Sequence, residues 1–268
     1  MQQPIPDTSP GEEITPLMLE RRARIAALVR QRGAVRVPEL AEQFQVSTVT
    51  IRTDLAQLEK DGVLLRNRGG AIAASVPSAL IAFDQRTSLN QGTKQLIGAA
   101  AARLVAPGDS ILLDSGTTVV EMVKHLQHVS GLTVVTNALN VALELRAVRD
   151  ARVLLLGGAM NYETFGTLGP LAEQNLESLV VQKLFLAAET VDLAAGVTDS
   201  TVEIAQVKRA MVRSARQVIL LADSSKWERT GFIKVIPLAA IHTVVSDSGL
   251  PAAVRATLER QGIELILV

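Results

Sequence analysis

Ser47-Thr-Val-Thr-Ile-Arg-Thr-Asp-Leu-Ala-Gln-Leu-Glu-Lys-Asp-Gly62 is the stretch on which the reading of this chain turns. Ser47 is a good N-cap, because its hydroxyl can satisfy a free amide of a starting helix. Ile51, Leu55 and Leu58 follow at i, i+4 and i+7, one apolar stripe on a helix. Thr48, Thr50, Arg52 and Thr53 lie mostly off that stripe, near the N-terminal end. Gly62 is placed to end the helix. A short helix with polar and cationic residues at its exposed N-terminal end suits a DNA major groove.

The flanks extend this reading. Thr15 and Pro16 start an earlier helix, with Leu19, Ile25, Ala26, Leu28 and Val29 on its apolar face. Arg21, Arg22, Arg24, Arg30 and Arg32 surround the other face, and Gly33 ends it. Ala34 to Val37 is a short β-like step. Pro38 opens a second helix that runs to Phe44, and Gln45-Val46 turns into the capped helix. That is a helix–turn–helix at its usual size. Val63 to Leu65 and Ala71 to Ala73 read as two strands joined by Arg66-Asn67-Arg68-Gly69-Gly70. The glycines allow the positive φ of a tight hairpin. A hairpin with a basic tip is a wing, and Arg66 and Arg68 are placed to grip phosphates. Residues 15–74 therefore form a winged helix–turn–helix domain. A Pro-containing, disordered tail at 1–14 precedes it, and a linker at 75–90 follows it.

Charge supports this placement. The whole chain has zero formal net charge, with 27 basic and 27 acidic residues, which by itself argues against a nucleic-acid binder. The distribution argues otherwise: Leu17 to Val76 holds ten basic and six acidic residues, whereas 1–16 is net −3 and 77–268 is net −1. Apolar residues make up 48% and aromatics 3%, so the core is aliphatic. With no cysteine, disulfides and thiol chemistry are excluded. His125, His128 and His242 form no metal-ligand pattern, so no metal is expected. The first residues show no signal peptide, and no apolar run reaches the ~18 residues of a membrane helix. A cytoplasmic protein, nucleoid-associated when on DNA, is the expectation.

From residue 91 strands alternate with helices, which means a largely parallel sheet covered on both faces. Strands are expected at 110–114, 132–136, 152–156, 183–187, 218–222, 242–246 and 264–268, with helices between several of them. Ligands bind at the carboxyl ends of such strands. Those ends carry small polar residues here. Asp114-Ser115-Gly116-Thr117-Thr118 joins free amides, a glycine and three hydroxyls at a helix start, a candidate phosphate cradle. Thr136-Asn137, Gly157-Gly158 and Asp223-Ser-Ser-Lys226 end later strands, and Lys226 can neutralise a phosphate. Lys208, inside a long helix, is a candidate for the same cleft. Glu121, Asp192 and Asp199 are carboxylates without the paired spacing of acid–base chemistry.

Over nearly its whole length from Leu19 the chain resembles the DeoR family of bacterial transcriptional repressors. Ser47-x-x-Thr50-Ile51-Arg52-x-Asp54-Leu55-x-x-Leu58 matches the family's helix–turn–helix signature, and Arg21, Ile25 and Val29 match its first-helix spacing. Gly69-Gly70-Ala71 matches the wing. The segments at 114–118, 136–137, 157–158 and 223–226, with Glu203-x-x-x-x-Lys208, match the effector domain. Val46 to Arg52 and Leu113 to Thr118 look most like the branch that controls N-acetylgalactosamine and other amino-sugar use. The resemblance implies a ribose 5-phosphate isomerase-like α/β domain at 91–268 that binds phosphorylated sugars and oligomerises. Three positions and one segment depart from the family: Thr53 stands for a basic residue, Arg68 for a wing histidine, Thr93 for a glutamate, and 187–192 for a Gly-Val-Asp-Gly-type segment.

The expected protein is a transcriptional regulator, a repressor, and not an enzyme. Double-stranded operator DNA is its partner, met by Ser47, Thr48, Thr50, Arg52, Thr53, Arg66 and Arg68. A sugar phosphate is its effector rather than a cofactor, and a homodimer or homotetramer supplies paired half-sites. The alternative is a sugar-phosphate isomerase-like enzyme with an appended DNA-binding module.

Overall fold

The computed structural model describes residues 14–32, 34–61, 63–67, 69–73 and 83–268. The expected tail up to residue 13, the linker up to residue 82, and Gly33, Gly62 and Arg68 lie outside the described residues. Two compact units emerge from the internal contacts, Met1–Val76 with Ser88–Asn90, and Pro77–Thr87 with Gln91–Val268.

In the first unit the order is α1 (Ile14–Arg32), β1 (Ala34–Arg36), α2 (Val37–Phe44), α3 (Thr48–Lys60), β2 (Leu64–Asn67) and β3 (Gly70–Ala73). Ser47 caps α3 as its hydroxyl predicts, accepting from the Thr50 amide at 3.0 Å. The turn from α2 into α3 passes through Gln45, whose φ of 53° is left-handed. Ile25, Val29, Leu40, Ile51, Leu55, Leu58 and Leu64 close one aliphatic core. The wing is a three-stranded antiparallel sheet in the order β1-β3-β2, so the short step at β1 belongs to it. Only Gly69 takes the positive φ, at 100°. Gly70 is required for space instead: a Cβ there would stand 2.0 Å from the Val35 carbonyl oxygen.

One charged residue lies inside the apolar stripe of α3. Asp54 is 1% exposed and accepts from Arg21 Nε at 2.5 Å and Arg22 Nε at 2.9 Å. These two arginines, read from sequence as an outer face, turn inward and tie α1 to α3. A buried carboxylate is tolerated only with such partners. Its removal strands two arginine side chains that are themselves largely buried.

The second unit begins with α4 (Phe83–Ser88) and α5 (Gln91–Ala102). It continues through β4 (Ser110–Leu113), α6 (Thr117–Val123), β5 (Thr133–Thr136), α7 (Leu139–Glu144) and β6 (Arg152–Leu155). A hairpin of β7 (Ala159–Asn161) and β8 (Gly166–Leu168) leads to α8 (Pro170–Glu177) and β9 (Val181–Ala187). Then come β10 (Thr190–Asp192), β11 (Gly196–Asp199), α9 (Val202–Arg213), β12 (Ala215–Leu221), β13 (Ile233–Ile236), β14 (Thr243–Ser246), α10 (Ala252–Arg260) and β15 (Glu264–Leu267).

Seven of these strands form one parallel sheet in the order β15-β14-β12-β9-β4-β5-β6. The central strands are continuous apolar runs because both faces are covered. Leu112, Leu184, Leu186 and Leu220 face α8, α9 and α10 through Leu176, Met211 and Leu258. Ile111, Leu113, Phe185 and Ile219 face α5, α6 and α7 through Ile97, Val119, Met122 and Val141. Strand order reverses between β4 and β9, which opens a crevice at their carboxyl ends. Four features were not legible in the sequence: α4, which lies in the segment read as linker, α8, the β7–β8 hairpin, and a small antiparallel sheet in the order β10-β11-β13. The helix between β5 and β6, α7, ends at Glu144 and continues as one 3-10 turn over Leu145–Ala147.

Replacing Asp54 by Ala is expected to destabilise the first unit by about 2–3 kcal/mol, the scale of lost hydrogen bonds between charged groups. Urea unfolding followed by circular dichroism measures it; a loss under about 0.5 kcal/mol contradicts the clasp.

Candidate functional site

Two sites need placing: the outer face of α3, and the crevice between β4 and β9. On α3 the buried residues Ile51, Asp54, Leu55 and Leu58 define the inner side. Thr48, Arg52 and Thr53 are exposed, as expected of groove-facing residues. Ser47 and Thr50 are engaged with each other, their hydroxyls 2.8 Å apart. The Thr53 hydroxyl donates back to the Val49 carbonyl at 3.1 Å. Arg66, on β2, accepts restraint from Glu59: its amide donates to Oε1 at 2.9 Å, and its guanidinium lies 3.9 Å from Oε2. Arg68 lies outside the described residues.

The crevice is organised by Lys208, which reaches in from α9 and is 5% exposed. Its ammonium donates to the Ala187 carbonyl at 2.9 Å and to Asp199 Oδ2 at 2.7 Å, and lies 3.5 Å from Asp114 Oδ2. Asp114 is fully engaged as well. Oδ1 accepts from the Ser115 amide at 2.7 Å and Oδ2 from the Ala187 amide at 3.0 Å. Burial works against the charge on Lys208, but Asp114 and Asp199 outweigh it and hold its pKa above the ordinary lysine value. Burial also opposes the Asp199 carboxylate; Lys208 and the Ser200 amide overcome that and leave it below its usual range. Burial pushes Asp114 up, with Lys208 and the two amides opposing. One ammonium thus faces two carboxylates, and the shorter contact marks Asp199 as its ion-pair partner.

This clasp fixes the segment read as a phosphate cradle. Gly116 is extended, and a Cβ there would come within 2.6 Å of Ala187 Cβ, so only glycine lets the loop lie against β9. Ser115 and Thr117 are half-buried and Thr118 is buried at the start of α6. Thr136 is wholly internal: it donates to the Leu113 carbonyl at 2.8 Å and accepts from the Ala138 amide at 3.0 Å. Asn137 donates to the Thr167 carbonyl at 3.1 Å, while its buried Oδ1 has no hydrogen-bond partner among the described residues. Gly157 and Gly158 instead turn the chain into the β7–β8 hairpin. The Gly157 amide is taken by Asn175 at 3.0 Å, and both glycines pack toward Leu171 and Leu168. Glu121 is bound by Lys124 at 2.8 Å, and Asp192 accepts the amides of a turn.

Cations gather beside the clasp. Lys226 follows Asp223, whose carboxylate caps the 3-10 turn Ser224–Lys226. Lys94 and Arg86, on α5 and α4, were not singled out in the sequence. Lys94 is 4% exposed and donates to the Arg86 carbonyl. Burial lowers Lys94 to a pKa of about 8, and the charge of Lys226 adds to the fall more than that of Arg86 does. Burial lowers Lys226 too, with Asp223 opposing and Arg86 adding. Burial likewise lowers Arg86, against the pull of Glu189, Glu163 and Asp199. Arg86 donates to the Glu163 carbonyl at the tip of the β7–β8 hairpin.

Residues 21–76 match the family described as the DeoR-like helix–turn–helix domain, and residues 89–248 match the DeoR C terminal sensor domain. The chain belongs to the DeoR family. A candidate aga operon transcriptional repressor of Escherichia coli O157:H7 is 35% identical, covering 96% of this chain and 97% of that one. The HTH-type transcriptional regulator YulB of Bacillus subtilis is 37% identical, covering 91% and 95%. This DeoR-family chain is accordingly a transcriptional regulator rather than an enzyme, with a DNA-binding helix–turn–helix and a small-molecule sensor. A solved ribose 5-phosphate isomerase from Methanocaldococcus jannaschii is 14% identical with a TM-score of 0.38, covering 52% of this chain and 55% of that one. No described helix of the regulator is long and apolar enough to cross a membrane.

Lys208→Met is expected to cost about 3–5 kcal/mol, since it leaves two buried carboxylates facing each other. Denaturant unfolding of the second unit reads the effect, and a change within about 0.5 kcal/mol, typical of a solvated surface lysine, contradicts it.

Proposed function

We propose that this regulator is a homo-oligomeric repressor of a sugar-utilisation operon, released from its operator by a phosphorylated sugar. The observation that carries this reading is the trio Arg86, Lys94 and Lys226. Burial lowers all three, Lys226 and Arg86 add to the fall of Lys94, Arg86 adds to that of Lys226, and the Lys94 ammonium donates to the Arg86 carbonyl. A dianionic phosphate opposes that fall and restores each cation toward its ordinary charge state. The sugar then lies along Ser115, Gly116, Thr117 and Thr118, with the open Asn137 Oδ1 accepting from a hydroxyl. Asp114 and Lys208 act on the effector through the loop they hold, because their own hydrogen bonds are directed into the protein. Asp223 positions Lys226 through the same turn. The name of the Escherichia coli relative supports the repressor reading.

Operator DNA meets Thr48, Arg52, Thr53, Arg66 and Arg68, with Ser47 and Thr50 fixing the helix start. One winged unit makes few contacts, so two or four copies on paired half-sites supply the affinity. A DNA partner supports a cytoplasmic protein. The effector favours the DNA-free state only to the extent that it binds that state more tightly.

A thermal-unfolding screen of the full-length protein against sugar phosphates and their unphosphorylated parents tests the effector. A cognate phosphate at 100 times its Kd is expected to stabilise by about 2.7 kcal/mol, and the parent sugar by nothing measurable. Lys226→Ala is expected to weaken that phosphate about 10- to 100-fold, the loss of one charge-assisted contact, while operator affinity is retained. Equal stabilisation by phosphorylated and parent sugars contradicts the proposal.

A further inference from the structure

We infer that Val49 is the apolar reader of the operator, its γ-methyl groups packing on the 5-methyl of a thymine in the major groove. The inference rests on the first unit's role as a DNA-binding helix–turn–helix and goes beyond it by naming a reader and a base.

With about 100° per residue along a helix, the buried positions 51, 54, 55 and 58 centre on one side of α3. Val49 falls opposite that centre, flanked by Arg52 and Thr53. It is 65% exposed. Among the described residues its side chain contributes to no core, and a β-branched residue in an exposed helical turn is a poor helix former. Thr48 and Thr50 on either side make the first turn β-branched throughout.

Three of the hydroxyls around Val49 are engaged within the helix start. Ser47 and Thr50 hydrogen-bond each other, and the Thr53 hydroxyl returns to the Val49 carbonyl. Thr53 thereby presents its methyl rather than its hydroxyl, which extends the apolar patch. Arg52 remains as the cationic reader beside it. The only apolar feature on the floor of the major groove is the thymine 5-methyl, so a valine at the tip of this helix has one matching base.

The test begins with duplexes selected from a random pool by the full-length protein. Each thymine of the selected half-site is then replaced in turn by deoxyuridine, which removes only the 5-methyl, and affinity is read by fluorescence anisotropy. The wild-type protein is expected to lose about fourfold at one thymine per half-site, the burial of one methyl group. Val49→Ala should bind the thymine and deoxyuridine duplexes equally, whereas Arg52→Ala should bind both more weakly and keep the fourfold ratio. Methyl-insensitive binding by the wild type overturns the proposal while leaving DNA binding intact, as does a methyl effect that survives Val49→Ala. Failure to enrich any duplex overturns the DNA-binding role and the proposal together. Since Val49 is exposed, Val49→Ala should melt with the wild type, and the deoxyuridine series on the wild type stands without it.

Discussion

A single buried ammonium holds the sensor together. Lys208 crosses from α9 to the carboxyl end of β9 and meets a carboxylate from β11 and another from the end of β4. The sheet reverses its strand order between β4 and β9, so the connections that follow them leave in opposite directions and the strand ends need a tie. Hydrophobic packing does not supply it, because the groups that meet there are Lys208, Asp114, Asp199 and the backbone of Ala187. The ion pair with Asp199 and the two amides on Asp114 do so instead. Their combined geometry sets the Ser115–Thr118 loop against Ala187, at a distance that only Gly116 permits.

The same logic recurs on a smaller scale in the DNA-binding unit. Asp54 lies inside an apolar stripe and draws Arg21 and Arg22 inward, which sets α3 against α1. In both units a buried ionic contact orients the element that carries the candidate functional residues. Such networks stabilise little compared with well-packed apolar side chains, but they are intolerant of partial loss. Next to the Lys208 clasp the balance is different: burial lowers Arg86, Lys94 and Lys226, and the proposed anion offsets that cost.

What was legible in the sequence was local. The Ser47 cap, the Ile51–Leu55–Leu58 stripe and the apolar strands 110–113 and 183–187 each carry their signal within a few residues. Asp54 was not legible as a buried group, because its arginine partners stand more than 30 positions away on another helix. Lys208 was legible as important but assigned to the ligand; its partners Asp114 and Asp199 come together only through the strand order. Lys94 and Arg86 carry no motif, and Arg86 falls in a segment read as linker. The strands β7, β8 and β10 are three residues each, too short for any alternation to show.

The central claim is that a phosphate lands among Arg86, Lys94 and Lys226. Lys94 titrates at about 8 in the free protein, and a bound dianion raises that value. Binding therefore draws protons from solution near pH 8, and affinity falls as pH rises through that region. Calorimetry settles it: titrate the sugar phosphate that most stabilises the protein at pH 8, in two buffers of different ionisation enthalpy. The account predicts uptake of up to about half a proton from Lys94, since a group at its pKa is half protonated, and less uptake in Lys94→Met. A binding enthalpy that is the same in both buffers, or uptake unchanged in Lys94→Met, contradicts it.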